Sequence, residues 1–202
     1  MSDRNAWLEL IEADPEHSQR YIERFRSMAE AGADLVGEAR LVDAMLPRGA
    51  RVLDAGCGQG RVGGHLALVG HDVLGVDLDP VLVAAARRSY PSATWLVGDL
   101  SELDLPARDV PDGFDAIVCA GNVMTFVAKD TRREVLRRMR AHLRGAGRVV
   151  IGFGAGRGYE FDDFLGDADA AGLVPDLLLA TWDLRPFTPG SDFLVAVLRP
   201  AA

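Results

Sequence analysis

The sequence predicts a doubly wound α/β fold: a seven-stranded sheet, mostly parallel, with helices on both faces and an antiparallel hairpin at its C-terminal end. Three observations predict it. A short apolar run, "RVLDA" at residues 51–55, leads directly into a glycine-rich turn. Strand-like and helix-like stretches then alternate through five β/α units. Finally the alternation breaks: "LLLATWDLRPF" and "FLVAVLRP" are joined only by "TPGSD". That linker is too short for a crossover helix, so the last two strands must run antiparallel.

Residues 1–32 read as a helical extension and 33–202 as the sheet domain. In the extension, Tyr21, Phe25, Met28 and Ala29 recur at three- and four-residue spacing and share a helix face, until Gly32 interrupts. A second helix has Leu35, Val36, Val42, Met45 and Leu46 apolar and is closed by Pro47. After the 51–55 strand, "GRVGGHLALVG" reads as a helix ending at Gly70, and "DVLGVD" as a strand. In "DPVLVAAARRSYP", Asp79 can cap a helix whose first turn takes Pro80. "ATWLVGD" is a strand, "SELDLPARDVPDG" a polar loop and "FDAIVCAG" a strand. In "DTRREVLRRMRAHLRGAG", Thr131 and Glu134 have capping-box spacing and Gly145 stops the helix. Val135, Leu136, Met139 and Leu143 form its buried face, which leaves its arginines solvated. "RVVIGFG" is a strand and "FDDFLGDADAAGL" a helix.

Composition narrows the function. The chain has 202 residues, 49% hydrophobic and 26% charged, which fits one globular domain with a short extension. A net charge of -8 gives no general attraction for phosphate backbones, so no nucleic-acid partner is expected. The start, "MSDRNAWLEL", is not a signal peptide, and no run approaches a membrane span. Cys57 and Cys119 are too few for a disulfide framework or a zinc cluster. The expectation is a cytoplasmic protein with no membrane partner and no metal; the oligomeric state is not readable.

The ligand of the glycine turn can be read in two registers. Gly58-Gln59-Gly60-Arg61-Val62-Gly63 matches GxGxxG, the dinucleotide pattern, with Asp77 near the spacing of a ribose-binding acid. Asp54-Ala55-Gly56-Cys57-Gly58-Gln59-Gly60 matches DxGxGxG. A dinucleotide turn needs its first glycine at the strand end, and here Gly56 holds that place while Gly58 comes too late. An ionised Asp54 at the mouth of the site would also repel a pyrophosphate by roughly 4 kcal/mol at 4 Å. It suits a ligand with an ammonium and a sulfonium instead, as in S-adenosylmethionine.

"VLDAGCGQGRVG", "VLGVDLDP", "WLVGDL" and "FDAIVCAG" resemble, in order, the motifs of class I S-adenosylmethionine-dependent methyltransferases. The resemblance runs from about Leu35 to Pro200 and includes the closing hairpin. It implies that Asp54 and the backbone of Gly56, Cys57, Gly58 and Gly60 hold the methionine part, with Arg61 beside them. It implies that Asp77 accepts both ribose hydroxyls with Leu78 beside the adenine. Asp99 would accept from the adenine amino group with Leu100 nearby, and Ala120, Gly121 and Asn122 would lie under the reactive methyl. The implied activity is methyl transfer to a small-molecule acceptor by in-line positioning. The alternatives are an NAD-dependent oxidoreductase and a non-catalytic S-adenosylmethionine-binding protein.

The acceptor is not legible. Candidate contacts are Met124 and, in and after the glycine-rich turn "GFGAGRG", Arg157 and Tyr159. Tyr21, Phe25 and Met28 join them if the extension is a lid; the competing reading packs their stripe on the flanking helices. Cys57 reads as a small turn residue and Cys119 as buried strand packing. No catalytic residue is assigned. His71 opens a strand at the wrong end of the sheet, and His65 and His142 belong to flanking helices, which leaves His17 of the extension open. "AGNVMTF" lacks the Asn/Asp-Pro-Pro-aromatic motif of amide- and adenine-methylating relatives, which argues against those substrates.

Overall fold

The computed structural model describes residues 4–110 and 113–201. Pro111 and Asp112, part of the expected polar loop, lie outside the described residues. The sheet has seven strands in the order β3-β2-β1-β4-β5-β7-β6. They are β1 (Arg51–Ala55), β2 (Asp72–Asp77), β3 (Thr94–Val97), β4 (Phe114–Cys119), β5 (Leu143–Gly154), β6 (Leu173–Leu179) and β7 (Phe193–Pro200). The first five pair in parallel, and β7 runs antiparallel between β5 and β6. The order reverses between β1 and β4, which opens a crevice at the carboxyl ends of those strands.

Side chains alternate across the strands and so build two core layers. Leu53, Ile117, Ile151 and Phe153 face one way, against Met139 of α7 (Arg132–Ala141) and Phe164 of α8 (Phe161–Ala170). Val52, Val118, Val150 and Val197 face the other, against Val42 of α3 (Gly37–Ala44) and Leu66 of α4 (Arg61–Leu68). On that face α5 (Pro80–Ser89) begins as expected: Asp79 accepts from the Val81 and Leu82 N–H groups, and Pro80 occupies the first turn.

Some local expectations change. Residues 132–141 are helical, but Thr131 makes no side-chain cap; its hydroxyl donates to the Ala128 carbonyl instead. β5 starts at Leu143, earlier than the apolar run, with a register shift against β4 near Gly145. β6 also starts early, at Leu173, and includes Pro175 and Asp176. It is the sheet's outer strand, where a missing N–H is tolerated. Residues 180–192 then form a long connection in which Trp182 covers the bare backbone of Gly152.

The extension is two helices, α1 (Ala6–Ala13) and α2 (His17–Glu30), broken at Asp14-Pro15. The final short helix, α6 (Val123–Phe126), follows β4.

Candidate active site

Every parallel strand delivers residues to one cavity of about 360 Å³ at the carboxyl edge of the sheet. Gly56 and Gly58 follow β1, Asp77 and Leu78 end β2, and Gly98, Asp99 and Leu100 follow β3. Ala120, Gly121 and Asn122 follow β4, and Arg157 follows β5. The N-terminal helices form the opposite wall with Trp7, His17, Tyr21, Arg24 and Phe25. A recess of about 30 Å³ is walled by Tyr21, Phe25, Asp54, Cys57, Arg61 and Ala120 among others.

The glycine turn is closed on itself. The N–H groups of Gly56 and Cys57 both donate to the Val76 carbonyl, at 2.8 and 3.1 Å. Gly58 N–H donates to Asp77 Oδ2 at 2.8 Å and Gly60 N–H to the Cys57 carbonyl at 2.9 Å. Gly63 N–H donates to Asp54 Oδ2 at 2.7 Å. A pyrophosphate needs such donors free, so this turn is ill suited to a dinucleotide. What it offers is a surface without side chains: Gly58 lies bare beneath the Tyr21 ring, 3.8 Å from where a Cβ would stand.

The sequence matches the methyltransferase domain family over residues 52–147. The crystal structure of a TehB-like SAM-dependent methyltransferase from Corynebacterium glutamicum superposes with a TM-score of 0.88 at 53% identity, covering 93% of this chain and 100% of that one. The chain belongs to the class I S-adenosylmethionine-dependent methyltransferases. It is 29% identical to the magnesium-protoporphyrin O-methyltransferase of Rhodobacter capsulatus over 65% of this chain and 61% of that protein. It is 44% identical to ribosomal RNA small subunit methyltransferase C of Chromohalobacter salexigens, over only 36% of this chain and 21% of that protein. Those matches span less than two thirds of either curated relative.

S-adenosylmethionine, the cofactor of this family, has no phosphate and fits a methyltransferase turn whose donors are spent. Asp77 faces the cavity at the end of β2. Each of its oxygens accepts one backbone N–H, from Asp79 at 2.9 Å and from Gly58 at 2.8 Å, which leaves lone pairs for two hydroxyl donors. Burial pushes its carboxyl up to about 6. Asp99 also faces the cavity, while one oxygen accepts from both the N–H and the hydroxyl of Ser101 at 2.8 Å. Ala120 and Gly121 also line the cavity.

Asp54 differs from expectation. It is 2% exposed, and burial pushes its carboxyl up to about 7. It borders the recess and not an open mouth, so it is no strong fixed anion in the free methyltransferase. Cys57 is buried there with its thiol pushed well up by burial, which suits packing and not nucleophilic attack. Arg61 is occupied by Glu38, at 2.5 and 2.7 Å, and by the Leu35 carbonyl. Gly60 does not line the cavity; a Cβ there would stand 2.9 Å from Ala86 and Trp95, so its bareness serves helix packing. Asn122 lines the cavity in a left-handed conformation, φ 67, and its Oδ1 accepts from Gly154 N–H at 2.8 Å.

Of the candidate acceptor contacts, Tyr21, Phe25 and Arg157 line the cavity and three do not. Met28 sits where α2 outruns the cavity and is exposed to solvent. Met124 points into the core beneath α6. Tyr159 is buried against Phe153, and its hydroxyl donates to Asp167 Oδ2 at 2.8 Å. Conversely, Trp7, Arg24 and Phe126 line the cavity and were not singled out in the sequence. Trp7 meets His17, Tyr21 and Phe126 edge-on, at 5.0, 5.3 and 5.5 Å between ring centres. Of the histidines, His71 pairs with Asp43 at 2.9 Å, and His142 is held by Leu105 N–H and the Arg138 carbonyl. His17 lines the cavity.

Proposed function

We propose that this methyltransferase acts on a small-molecule acceptor bound between the ends of β4 and β5 and the N-terminal helices. The observation that carries the reading is the cavity itself. It continues from the Asp77 and Asp99 wall to an aromatic wall of Trp7, Tyr21, Phe25 and Phe126. The whole cavity, cofactor side included, is about 360 Å³, within the range of small-molecule sites, about 300–1,000 Å³. The net charge of -8 supports an acceptor that is not nucleic acid. The two free, buried cysteines support a cytoplasmic setting. No helix among the described residues is long and apolar enough to cross a membrane.

S-adenosylmethionine supplies an electrophilic methyl on a sulfonium. In our reading Asp77 accepts from the ribose hydroxyls, Asp99 and the backbone near Leu78 and Leu100 hold the adenine, and Asp54 and Arg61 border the methionine part. Ala120, Gly121 and Asn122 then set where the methyl group stands, and the aromatic wall holds the acceptor in line and dry. No carboxylate among the described residues pairs with Arg24 or Arg157, so the two guanidiniums suit an acceptor bearing negative charge or exposed oxygen lone pairs. Residues 1–32 serve as the lid of this cavity, over a sheet domain of residues 33–202.

Release of S-adenosylhomocysteine from S-adenosylmethionine, followed across a pool of small metabolites and a pool of ribosomal RNA, tests the reading. Turnover with metabolites alone is expected; turnover with RNA alone overturns the acceptor class. No turnover with either, despite tight cofactor binding, favours the non-catalytic alternative. NAD should leave the melting temperature unchanged, whereas S-adenosylmethionine at a hundredfold excess over Kd should stabilise by about 2.7 kcal/mol.

Cofactor affinity should depend on pH through Asp77. Hydroxyl donors favour its ionised form, and the free protein holds the proton to about pH 6. Affinity should therefore level off above pH 7 and weaken about tenfold by pH 5, as calorimetry can measure. Stability of the free protein should run the opposite way. Asp54 and Asp77 both have folded values above the ordinary 3.8. Their contribution is fully present below that value and is lost as pH rises through about 6 to 7. A flat affinity profile from pH 5 to 8 would count against a buried carboxylate in the cofactor contact.

A further inference from the structure

We infer that Asp79 is a positioning residue that latches the N-terminal helices over the cavity and ties that closure to the cofactor-binding loop; this rests on the lid reading above. Asp79 is 1% exposed. Its Oδ1 accepts from Val81 N–H at 2.8 Å and from Leu82 N–H at 3.4 Å, the ordinary work of a helix cap. Its Oδ2 does something a cap does not require. It accepts from Trp7 Nε1 of α1 at 2.9 Å and from the Ser18 hydroxyl of α2 at 2.5 Å. One carboxylate thus holds both N-terminal helices, from partners 72 and 61 residues away in sequence.

The other end of the connection is the cofactor wall. The backbone N–H of Asp79 donates to Asp77 Oδ1 at 2.9 Å, and Asp77 Oδ2 in turn accepts from Gly58 of the glycine turn. A single residue, Leu78, therefore separates the carboxylate facing the cavity from the carboxylate that fixes the lid. Trp7, held by its indole N–H, presents its ring to Tyr21 and Phe126, both in the cavity wall. Setting the Asp77–Asp79 backbone by filling the ribose side sets the anchor on which Trp7 and Ser18 close. Closure is then favoured by cofactor, and by reciprocity closure tightens cofactor binding. The order of events that follows is cofactor first and acceptor second.

The test uses the full chain and S-adenosylhomocysteine as probe. Trypsin can cut α2 at Arg20, Arg24 and Arg26. In the wild type, saturating S-adenosylhomocysteine should slow those cuts about tenfold or more, the factor expected from hydrogen bonds to a charged group. Asp79→Asn keeps an oxygen for the cap of α5 but turns an amide N–H₂ toward the indole N–H. Trp7→Phe keeps an aromatic ring, smaller than the indole, and removes the donor. Both variants should melt within a few degrees of wild type and still bind S-adenosylhomocysteine by calorimetry, a few-fold more weakly, yet lose most of the ligand-dependent protection. The double variant should lose no more protection than Asp79→Asn alone, because that substitution already disturbs the Trp7 bond along with the Ser18 bond. Wild-type protection in both single variants would overturn the latch and leave the proposed function standing. Absence of ligand-dependent protection in the wild type would overturn the coupling. No binding of S-adenosylhomocysteine by the wild type would overturn the functional reading and the coupling together.

Discussion

Asp77→Ala should weaken cofactor binding by about 3 kcal/mol, a hundredfold or more in Kd, as two charge-assisted hydrogen bonds are lost. The side chain stands at the end of β2, lines the cavity, and accepts one backbone N–H on each oxygen, from Gly58 and from Asp79. Alanine also releases those two internal donors, so the loop could shift. Asp77→Asn separates the effects, because its oxygen keeps one internal acceptor while the charge is removed; it should lose about tenfold. Asp77→Asn should not lower the melting temperature of the free protein at pH 8, since burial already opposes ionisation of this carboxyl. Calorimetry with S-adenosylhomocysteine reads the affinity. Unchanged affinity in a folded Asp77→Ala protein would remove this residue from the cofactor contact.

Gly56→Ala should cost about 2–5 kcal/mol of stability, or about 5–15 °C in melting temperature for a chain of this size. Two effects add. Gly56 has φ +79, where an alanine is strained, and its Cβ would stand 2.5 Å from both methyl groups of Val123 at the start of α6. Gly121→Ala is the comparison. Its φ is +80 but nothing lies within 4 Å of the added carbon, so it should lose only the backbone part, about 1–2 kcal/mol. Val123→Ala placed with Gly56→Ala should recover the packing part. Equal losses at Gly56 and Gly121 would show that contact with Val123 is not what requires glycine at the first turn position.

The sheet was legible because its central strands are buried on both faces and read as continuous apolar runs; the antiparallel end was read from a five-residue linker that is in fact a longer connection, residues 180–192, still without a helix. β6 was placed too late since Pro175 and Asp176 look like a turn; only its position at the sheet edge makes them acceptable in a strand. The glycine turn was identified by register, but its internal hydrogen bonds were invisible, as they depend on Val76 and Asp77 of the neighbouring strand. The same gap hid the state of Asp54, whose burial follows from α4 closing over it. Helical spacing puts Tyr21, Phe25 and Met28 on one face, but only the first two line the cavity, because periodicity gives a face and not how far the cavity extends along it. Trp7 and Phe126 carry no periodic signal; three-dimensional closure alone brings them together.

The self-satisfied glycine turn has a consequence for selectivity in a crowded metabolite pool. Adenosine is common to the cofactor and to the far more abundant nucleotides, so recognition of ribose and adenine cannot tell them apart. A triphosphate or pyrophosphate reaching this turn would give up its water shell and find the N–H groups of Gly56, Cys57, Gly58 and Gly60 already engaged. ATP and NAD are therefore expected to bind poorly, because three of these N–H groups are held by backbone carbonyls and the fourth, of Gly58, by the Asp77 side chain.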